Sequence, residues 1–460
     1  MAAVMSTRTT LKPAARSPRV KMMMATCRMR FRRFCTASSL ALAEEATGES
    51  SESIRSGRSV DGSKSLTPKG YCQLLAAAQL GDAVLRPITL SKRCDPCNIR
   101  RWRKVTDSAA ISSSVEGQTV PQAFLETVAA HGDLVALRAK NPDDSWTETT
   151  YNEFAQQVAR VAGGLAAQGL GKGDRLMLMV RNMPEFHVLD TAALFVGATP
   201  VSIYNSSSPE QIEYLVNDAG ATMAVVEDQG FYEAFSKVRT SMPNLQKVGL
   251  IRPGADGSDL GADFTYESLL ASDPVDLAEA ATIASPDDLA TLIYTSGTTG
   301  PSKGVMIDHA NVCWTVKCLA DAFEMDSYAG KRIVSYLPMA HIAERMMSHY
   351  QTLFMGYEVT CCPDPTLFAA YAGEVHPNIM FGVPRVWEKI YSGIQAALSM
   401  DAEKEKAVTD GVAAAMPIQE KMTWGTATQE EIETYEFLDA VAFSTTVSYT
   451  HLTLPTIYSV

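Results

Sequence analysis

From residue 112 onward, apolar strand-like runs alternate with amphipathic helical segments, and this alternation constrains the fold more than any other feature of the sequence. Residues 151–168 carry apolar side chains at helical spacing, and two glycines end that pattern before a short apolar run at 175–180. A helical segment at 184–195 and an apolar run at 199–203 follow. Because strands that are joined through helices pair in parallel, the sequence predicts an α/β fold with mainly parallel sheets and flanking helices.

The alternation extends to about residue 381 and then stops. Residues 401–443 are charged, rich in alanine and glutamate, and helical in pattern, with no strand-like run after them. Between residues 112 and 381, further strands are predicted at 223–226, 289–294, 305–307, 333–336, 357–362 and 379–381, and further helices at 120–130, 209–217, 312–323 and 342–355.

Composition limits the classes of protein that this chain can represent. The 460 residues are 46% hydrophobic and 20% charged, as in globular proteins that bury a large core. No apolar run reaches the length of roughly 18 residues that a membrane-spanning helix needs, so no transmembrane helix is expected. The net charge of −12 argues against nucleic acid as a partner.

The first part of the chain differs in charge from the rest. Residues 1–104 carry 20 Lys/Arg and 7 Asp/Glu. Nine of these basic residues precede Glu44, and no acidic residue does. Organelle transit peptides have this composition, although translated noncoding sequence would look the same. We therefore predict that residues 1–111 are a basic extension of one of these two origins. Peripheral association with an anionic membrane is a further expectation for it.

Nine cysteines indicate a reducing compartment rather than a disulfide framework. Cys94 and Cys97 have redox or zinc spacing but lack a second cysteine pair, so the sequence predicts no protein metal site. Four later cysteines lie in apolar segments and are predicted to be buried thiols, namely Cys313, Cys318, Cys361 and Cys362.

The last residues of the chain do not continue its pattern. One back-translation of residues 447–456 resembles a transposon-type sequencing adapter, so residues 447–460 are predicted to be such a tail. A genuine polar, strand-like tail is the alternative. The domain that carries function is then predicted at residues 112–446, with the natural chain continuing beyond Thr446.

The segment with the clearest chemistry runs from Tyr294 to Gly304 and reads Tyr-Thr-Ser-Gly-Thr-Thr-Gly-Pro-Ser-Lys-Gly. Its small residues let backbone N–H groups approach phosphate oxygens, its hydroxyls supply further donors, and its lysine supplies a compact positive charge. It lacks the Gly-Lys-Ser/Thr of a Walker loop. The predicted phosphate-binding residues are Thr295, Ser296, Gly297, Thr298, Thr299, Gly300 and Lys303.

This loop resembles the phosphate-binding signature of the AMP-forming, acyl-adenylate-forming ligases, with the proline one place early and the spacing from Gly300 to Lys303 kept. Residues 335–345, Ser-Tyr-Leu-Pro-Met-Ala-His-Ile-Ala-Glu-Arg, and residues 381–390 resemble segments of the long-chain fatty acid–CoA ligase branch. Residues 204–210 resemble that branch more weakly. The similarity covers about residues 112–443.

The resemblance implies a two-step reaction. A long-chain fatty carboxylate attacks the α-phosphorus of ATP, with Mg²⁺ on the phosphates, to give acyl-AMP and release pyrophosphate, and the coenzyme A thiolate then displaces AMP to give the thioester. It implies catalytic roles for Lys303 and for His341, which would line the carboxylate and adenylate pocket and hydrogen-bond the carboxylate or gate the acyl channel. A structural histidine is the alternative for His341. His187, His309 and His349 are expected to be structural, and Glu344 and Arg345 to form a charge pair at a helix end. Three aromatic residues are candidates for the acyl tunnel or the core: Tyr336, Phe381 and Trp387.

Three segments of that family do not occur in this sequence: the adenine-binding Tyr-Gly-x-Thr/Ser-Glu, the ribose-binding Thr-Gly-Asp and the carboxyl-terminal lid. The expected structure is thus an incomplete amino-terminal domain of the adenylate-forming ligase fold, and the 460-residue chain alone is expected to be inactive. Two alternatives remain open at this point. One is a ligase for a different acid, and the other is a non-catalytic fragment that binds acyl groups or nucleotides.

Overall fold

The computed structural model describes residues 108–295, 301–323 and 327–440 of the chain. Its strands are β1 (Val135–Lys140), β2 (Trp146–Thr150), β3 (Arg175–Met179), β4 (Thr199–Ser202), β5 (Met223–Val226), β6 (Lys247–Leu250), β7 (Phe264–Thr265), β8 (Leu289–Thr295), β9 (Lys303–Asp308), β10 (Arg332–Ser335) and β11 (Glu358–Cys361).

The helices alternate with these strands, as predicted. They are α1 (Ser108–Ser114), α2 (Val120–His131), α3 (Tyr151–Ala167), α4 (Pro184–Phe195), α5 (Pro209–Ala219), α6 (Gln229–Val238), α7 (Tyr266–Leu270), α8 (Leu277–Ala280), α9 (His309–Phe323), α10 (Ile342–Glu344), α11 (Gln351–Met355), α12 (Phe368–Val375), α13 (Pro384–Leu398), α14 (Ala402–Thr423) and α15 (Gln429–Leu438). A π-helical turn, Arg345–Tyr350, joins α10 to α11, and short 3₁₀ turns occur at Arg239–Ser241 and Pro365–Leu367.

A five-stranded sheet with the order β4-β3-β5-β6-β7 forms the first layer, and every pairing in it is parallel. Helices cover both of its faces, so successive side chains of a strand enter different cores. Leu176 and Leu178 of β3 pack into the larger core, whereas Met177 and Met179 pack into a second core with α5 and α6. This burial on both faces explains why β3 is a continuous apolar run. The predicted α/β fold with mainly parallel sheets is confirmed.

A second sheet has the order β10-β11-β1-β2, with parallel pairs except for the antiparallel β1–β2 hairpin. Two strands of this sheet, β1 and β2, were absent from the predicted elements. The predicted strand at 379–381 is wrong, since Ile379 forms a single bridge to Ile333 and no strand follows. The region predicted as helical at 401–443 contains α14 and α15, and its last residues, 441–443, lie outside the described part of the chain.

A third, two-stranded sheet pairs β8 with β9 in antiparallel fashion. Two side-chain hydrogen bonds join it to the edge of the first sheet at β4. The Thr291 hydroxyl donates to the carbonyl of Pro200 at 2.8 Å, and the Thr199 hydroxyl donates to the carbonyl of Leu289 at 3.2 Å. The hairpin is therefore fixed beside the first sheet at its β4 edge.

Gly249 on β6 lies directly opposite Phe264 on β7, and a methyl group at Gly249 would overlap the Phe264 ring. We expect Gly249→Ala to lower the free energy of unfolding by about 1–3 kcal/mol, because overpacking forces side chains out of their rotamers. Urea denaturation measures this. Gly393→Ala on α13 is the matched control, since a methyl group at this position would meet no atom within 4 Å. It should be stabilising by about 0.5–1 kcal/mol, and equal effects of both changes would contradict the expectation.

No helix in the described residues is both long enough and apolar enough to cross a membrane. Of the predicted buried thiols, Cys313, Cys361 and Cys362 are buried, and Cys318 is half-buried.

Candidate active site

The β8–β9 hairpin holds the two ends of the phosphate-loop sequence opposite each other. Thr295 is the last residue of β8, Lys303 is the first of β9, and the two are paired across the ladder. Both side chains are exposed. The predicted site residues between them, Ser296, Gly297, Thr298, Thr299 and Gly300, lie outside the described residues. The hairpin thus sets Lys303 directly opposite Thr295, so the residues at the two ends of the loop sequence lie side by side.

Helix α5 holds both ends of this loop through one of its faces. The Tyr214 hydroxyl donates to the carbonyl of Ser302 at 2.7 Å, just before Lys303. One helical turn later, the Asp218 carboxylate accepts from the Tyr294 hydroxyl at 2.8 Å, just before Thr295. Burial and the neighbouring Asp218 raise the pKa of Tyr294, so this hydroxyl stays protonated and donates. Neither Tyr214 nor Asp218 was singled out in the sequence.

His341 follows β10 and begins the helix α10. Its Nδ1 accepts a hydrogen bond from the backbone N–H of Ala343 at 3.1 Å, and its side chain is exposed. Since Nδ1 is the acceptor, the neutral imidazole carries its proton on Nε2. His341 therefore presents an N–H donor toward solvent, which is the group that a carboxylate or a phosphate oxygen would accept from.

A buried polar cluster lies under the segment that carries His341. The Ser335 hydroxyl donates to Oε1 of Glu344 at 2.8 Å, and the Ser348 hydroxyl donates to the same oxygen at 3.0 Å. Asn182, which follows β3, donates to the Ser335 hydroxyl at 2.8 Å and to the carbonyl of Leu337 at 2.9 Å. This cluster joins the end of β3 in the first sheet to the end of β10 in the second.

Arg345 points away from Glu344, so the expected charge pair between these neighbours is wrong. The Arg345 guanidinium instead contacts Asp190 of α4 at 2.5 Å and Ser202 of β4 at 2.7 Å, and all three side chains are buried. His349 lies on the other oxygen of Asp190 at 2.8 Å. Burial alone would raise the pKa of Asp190, but Arg345 and His349 outweigh burial and the pKa is lowered.

The three histidines that were expected to be structural all make internal hydrogen bonds. Nδ1 of His187 and Nδ1 of His349 are 2.9 Å apart, and burial is the main cause that lowers the pKa of each. His309 accepts from the backbone N–H of Val120 at 3.2 Å, and burial lowers its pKa to about 4. All three rings are therefore neutral at physiological pH.

Two of the aromatic candidates, Tyr336 and Trp387, hydrogen-bond to the backbone at the third, Phe381, and at the next residue. Tyr336 stacks on Phe368 with the ring centres 3.9 Å apart, and its hydroxyl donates to the carbonyl of Phe381 at 2.9 Å. The Trp387 indole donates to the carbonyl of Gly382 at 2.9 Å. The polar atoms of both Tyr336 and Trp387 are thus bonded to backbone carbonyls, which fixes the path of residues 381–382 against the second sheet.

Glu344 makes the free energy of unfolding depend on pH, and this dependence can be measured. Burial raises its pKa to about 7, against the smaller, opposite effects of its hydrogen bonds with Ser335, Ser348 and nearby backbone amides. A carboxyl pKa that is raised by folding contributes stability below the unfolded pKa of about 4.3, and this contribution is lost as the pH rises through 7. Between pH 5 and pH 8, the free energy of unfolding should therefore fall by about 2 kcal/mol more in the wild type than in Glu344→Gln. Urea denaturation at both pH values tests this, and identical pH slopes would contradict it.

The sequence of this chain matches a known protein family over the region that contains the site. A family model described as AMP-binding enzyme matches residues 124–435. The chain belongs to the AMP-binding enzyme family. This match includes the phosphate-loop hairpin, the His341 segment and α13.

Curated relatives of this chain are named long-chain-fatty-acid–CoA ligases. The chain is 31% identical over 315 residues to long-chain-fatty-acid–CoA ligase ACSBG2 of Xenopus laevis, covering 65% of this chain and 42% of that protein. It is 32% identical over 287 residues to long-chain-fatty-acid–CoA ligase ACSBG1 of Rattus norvegicus, covering 60% of this chain and 39% of that protein. The chain thus spans about two fifths of the length of these relatives.

Solved structures show the same fold at lower identity. A long-chain-fatty-acid–CoA ligase from Archaeoglobus fulgidus superimposes with a TM-score of 0.52 at 21% identity, covering 60% of this chain and 54% of that chain. The A-PCP didomain of a carboxylic acid reductase from Segniliparus rugosus gives a TM-score of 0.53 at 20% identity, covering 65% of this chain and 48% of that chain. These structures establish the fold of the AMP-binding enzyme family for this chain.

Within residues 108–295, 301–323 and 327–440, no group of three or more His, Cys, Asp or Glu side chains could hold a metal ion. Two buried residues of the site, Asp190 and Asn182, were missed in the sequence. A signal for Asp190 was present, because it is a charged residue in the otherwise apolar segment His-Val-Leu-Asp-Thr-Ala-Ala of α4.

Proposed function

We propose that the protein activates a long-chain fatty acid with ATP to form acyl-AMP and transfers the acyl group to coenzyme A. The observation that carries this proposal is the hairpin that sets Thr295 and Lys303 at the two ends of the family's phosphate-loop sequence. The names of the curated relatives support the choice of a long-chain acid.

The proposed chemistry requires negative charge to be neutralised where a carboxylate attacks a polyphosphate. Lys303 would contact the phosphate oxygens, and Thr295 would supply a hydroxyl donor at the other end of the loop. Mg²⁺ would enter with ATP and screen charge between the phosphates. Nε2–H of His341 would donate to the fatty carboxylate or to the adenylate, which holds the acyl group in line with the α-phosphorus.

Acid-dependent exchange of pyrophosphate into ATP tests the first step. The full gene product and the 460-residue chain are assayed in parallel with palmitate, octanoate, acetate, benzoate and an amino acid. We expect exchange with palmitate to exceed exchange with every other acid in the full gene product. A preference for benzoate or acetate would assign a different acid, and no exchange with any acid would reject the adenylation proposal.

Formation of the thioester tests the second step. Palmitoyl-CoA should appear together with AMP in equal amounts when coenzyme A is added. Formation of AMP without thioester would keep the adenylation step and reject coenzyme A as the acceptor.

A further inference from the structure

We infer that Glu344 is a positioning residue for His341: its buried carboxylate, bonded to Ser335 and Ser348, fixes the segment that carries the imidazole. The inference rests on the proposed function, because it assigns His341 to substrate contact. Glu344 itself is 2% exposed and cannot reach substrate.

The segment from Ser335 to Glu344 is closed on itself by hydrogen bonds. At its start, the Ser335 hydroxyl bonds the Glu344 carboxylate at 2.8 Å. In its middle, the backbone N–H of His341 donates to the carbonyl of Pro338 at 2.9 Å. At its end, the backbone N–H groups of Glu344 and Arg345 donate to the carbonyl of His341 at 3.1 and 3.2 Å. A shift of the Glu344 side chain would therefore move the backbone on which His341 stands.

Residues outside the segment also hold the cluster in place. Asn182 is 5% exposed and donates to both the Ser335 hydroxyl and the carbonyl of Leu337. Arg345, the next residue after Glu344, is held by Asp190 and Ser202 in the other direction. The turn that carries the exposed imidazole of His341 is therefore held by hydrogen bonds at both ends. Asn182 bonds to residues before His341, and Asp190 bonds to Arg345 after it.

Stability alone does not account for a carboxylate at this position. A buried carboxyl is costly unless a cation compensates its charge, and the neighbouring Arg345 makes its ion pair with Asp190 instead. Burial accordingly raises the pKa of Glu344 to about 7. What the carboxyl does supply is an acceptor for the Ser335 hydroxyl at the start of the segment, and the Ser348 hydroxyl lies 3.0 Å from the same oxygen and 2.9 Å from the Glu344 carbonyl.

A double-mutant cycle in the full gene product tests the inference, with palmitate-dependent pyrophosphate exchange as the readout. His341→Ala is expected to lower the rate by about 10–100-fold, as when a hydrogen bond to a charged group is lost. Glu344→Ala should cause a loss of similar size. The double variant should lie within about threefold of His341→Ala, because two residues that act through one contact are not additive. Glu344→Gln, which keeps an acceptor oxygen, should return to within about threefold of the wild type.

A matched control separates positioning from a general loss of structure. Gly249 is buried on β6 against Phe264 of β7, at the opposite end of the first sheet from β4, and Gly249→Ala perturbs packing there. Gly249→Ala should combine with His341→Ala as the product of the two single effects. If Glu344→Ala multiplies with His341→Ala in the same way, or if Glu344→Gln is as impaired as Glu344→Ala, the inference is wrong.

Other outcomes are also decisive. If Glu344→Ala does not fold, as judged by circular dichroism, the cycle is run with Ser335→Ala, which removes the hydroxyl between Asn182 and Glu344. If His341→Ala exchanges at the wild-type rate, Glu344 has no site residue to position and the inference fails while adenylation stands. Failure of the wild type to exchange with any acid rejects the proposed function itself.

Discussion

Lys303→Ala is expected to lower palmitate-dependent pyrophosphate exchange in the full gene product by about 10²–10³-fold. Removing one preorganised charge from a developing anion typically costs about 3 kcal/mol of transition-state stabilisation. Lys303 is exposed at the first position of β9 and is paired with Thr295 across the hairpin. The exchange rate of each variant, measured at saturating palmitate, provides the test.

The matched control is Lys317→Ala on α9. Lys317 is 42% exposed and pairs with Asp321 at 3.1 Å, so this change removes the same charge from the surface without touching the hairpin. It should leave the rate within about twofold of the wild type, since an exposed ion pair contributes little. A Lys303→Ala rate within threefold of the wild type would mean that Lys303 is an ordinary surface lysine.

Arg345→Ala is expected to lower the free energy of unfolding by about 3–5 kcal/mol, which is the usual cost of leaving one partner of a buried ion pair behind. Arg345 and Asp190 are both fully buried and 2.5 Å apart, so the Asp190 carboxylate would lose its cation without gaining water. Urea denaturation of the 460-residue chain, followed by circular dichroism, measures the loss.

Two further variants test whether the loss of stability in Arg345→Ala comes from breaking the buried ion pair. Lys406→Ala breaks an ion pair whose side chains are 78% and 64% exposed, and it should cost less than about 0.5 kcal/mol. Arg345→Ala combined with Asp190→Ala should be less unstable than the sum of the single changes, because the double variant leaves no unpaired carboxylate at this position. A loss below about 1 kcal/mol for Arg345→Ala would contradict the buried pairing.

The sequence predicted β3, β4 and β5 of the first sheet because these strands are buried on both faces and read as continuous apolar runs, whereas β6 and β7 of the same sheet were absent from the predicted elements. Helix α4 and strand β5 have the predicted bounds, Pro184–Phe195 and Met223–Val226. β2 was missed because it reads Trp-Thr-Glu-Thr-Thr and exposes two of its five residues, so it lacks such a run. Ile379 was assigned to a strand because three apolar residues resemble one, but a single bridge is all that forms.

The candidate site was predictable to the extent that it is local in sequence. The residues of the phosphate loop and His341 stand in recognisable segments, and their roles remain predictions from the resemblance. The support beneath them joins residues that are distant in the chain: Asn182 and Ser335 are 153 positions apart, and Asp190 and Arg345 are 155 apart. Spacing within a segment carries no information about such pairs, so they required the structure.

The separation between Asp190 and Arg345 also sets an order of events during synthesis. At about 5–20 residues per second, a ribosome needs roughly 8–30 s to add the 155 residues between them. During that interval β4, β5, β6 and β7 of the first sheet are added, while the Asp190 carboxylate on α4 lacks Arg345 as its cation and has to remain hydrated. The side of α4 that carries Asp190 can therefore be buried only after Arg345 of the π-helical turn has been synthesised and can neutralise the carboxylate. Assembly of the His341 side of the site therefore has to wait for Arg345, and a pause in translation between these two codons would prolong the period in which the incomplete sheet and its helices expose apolar surface to chaperones.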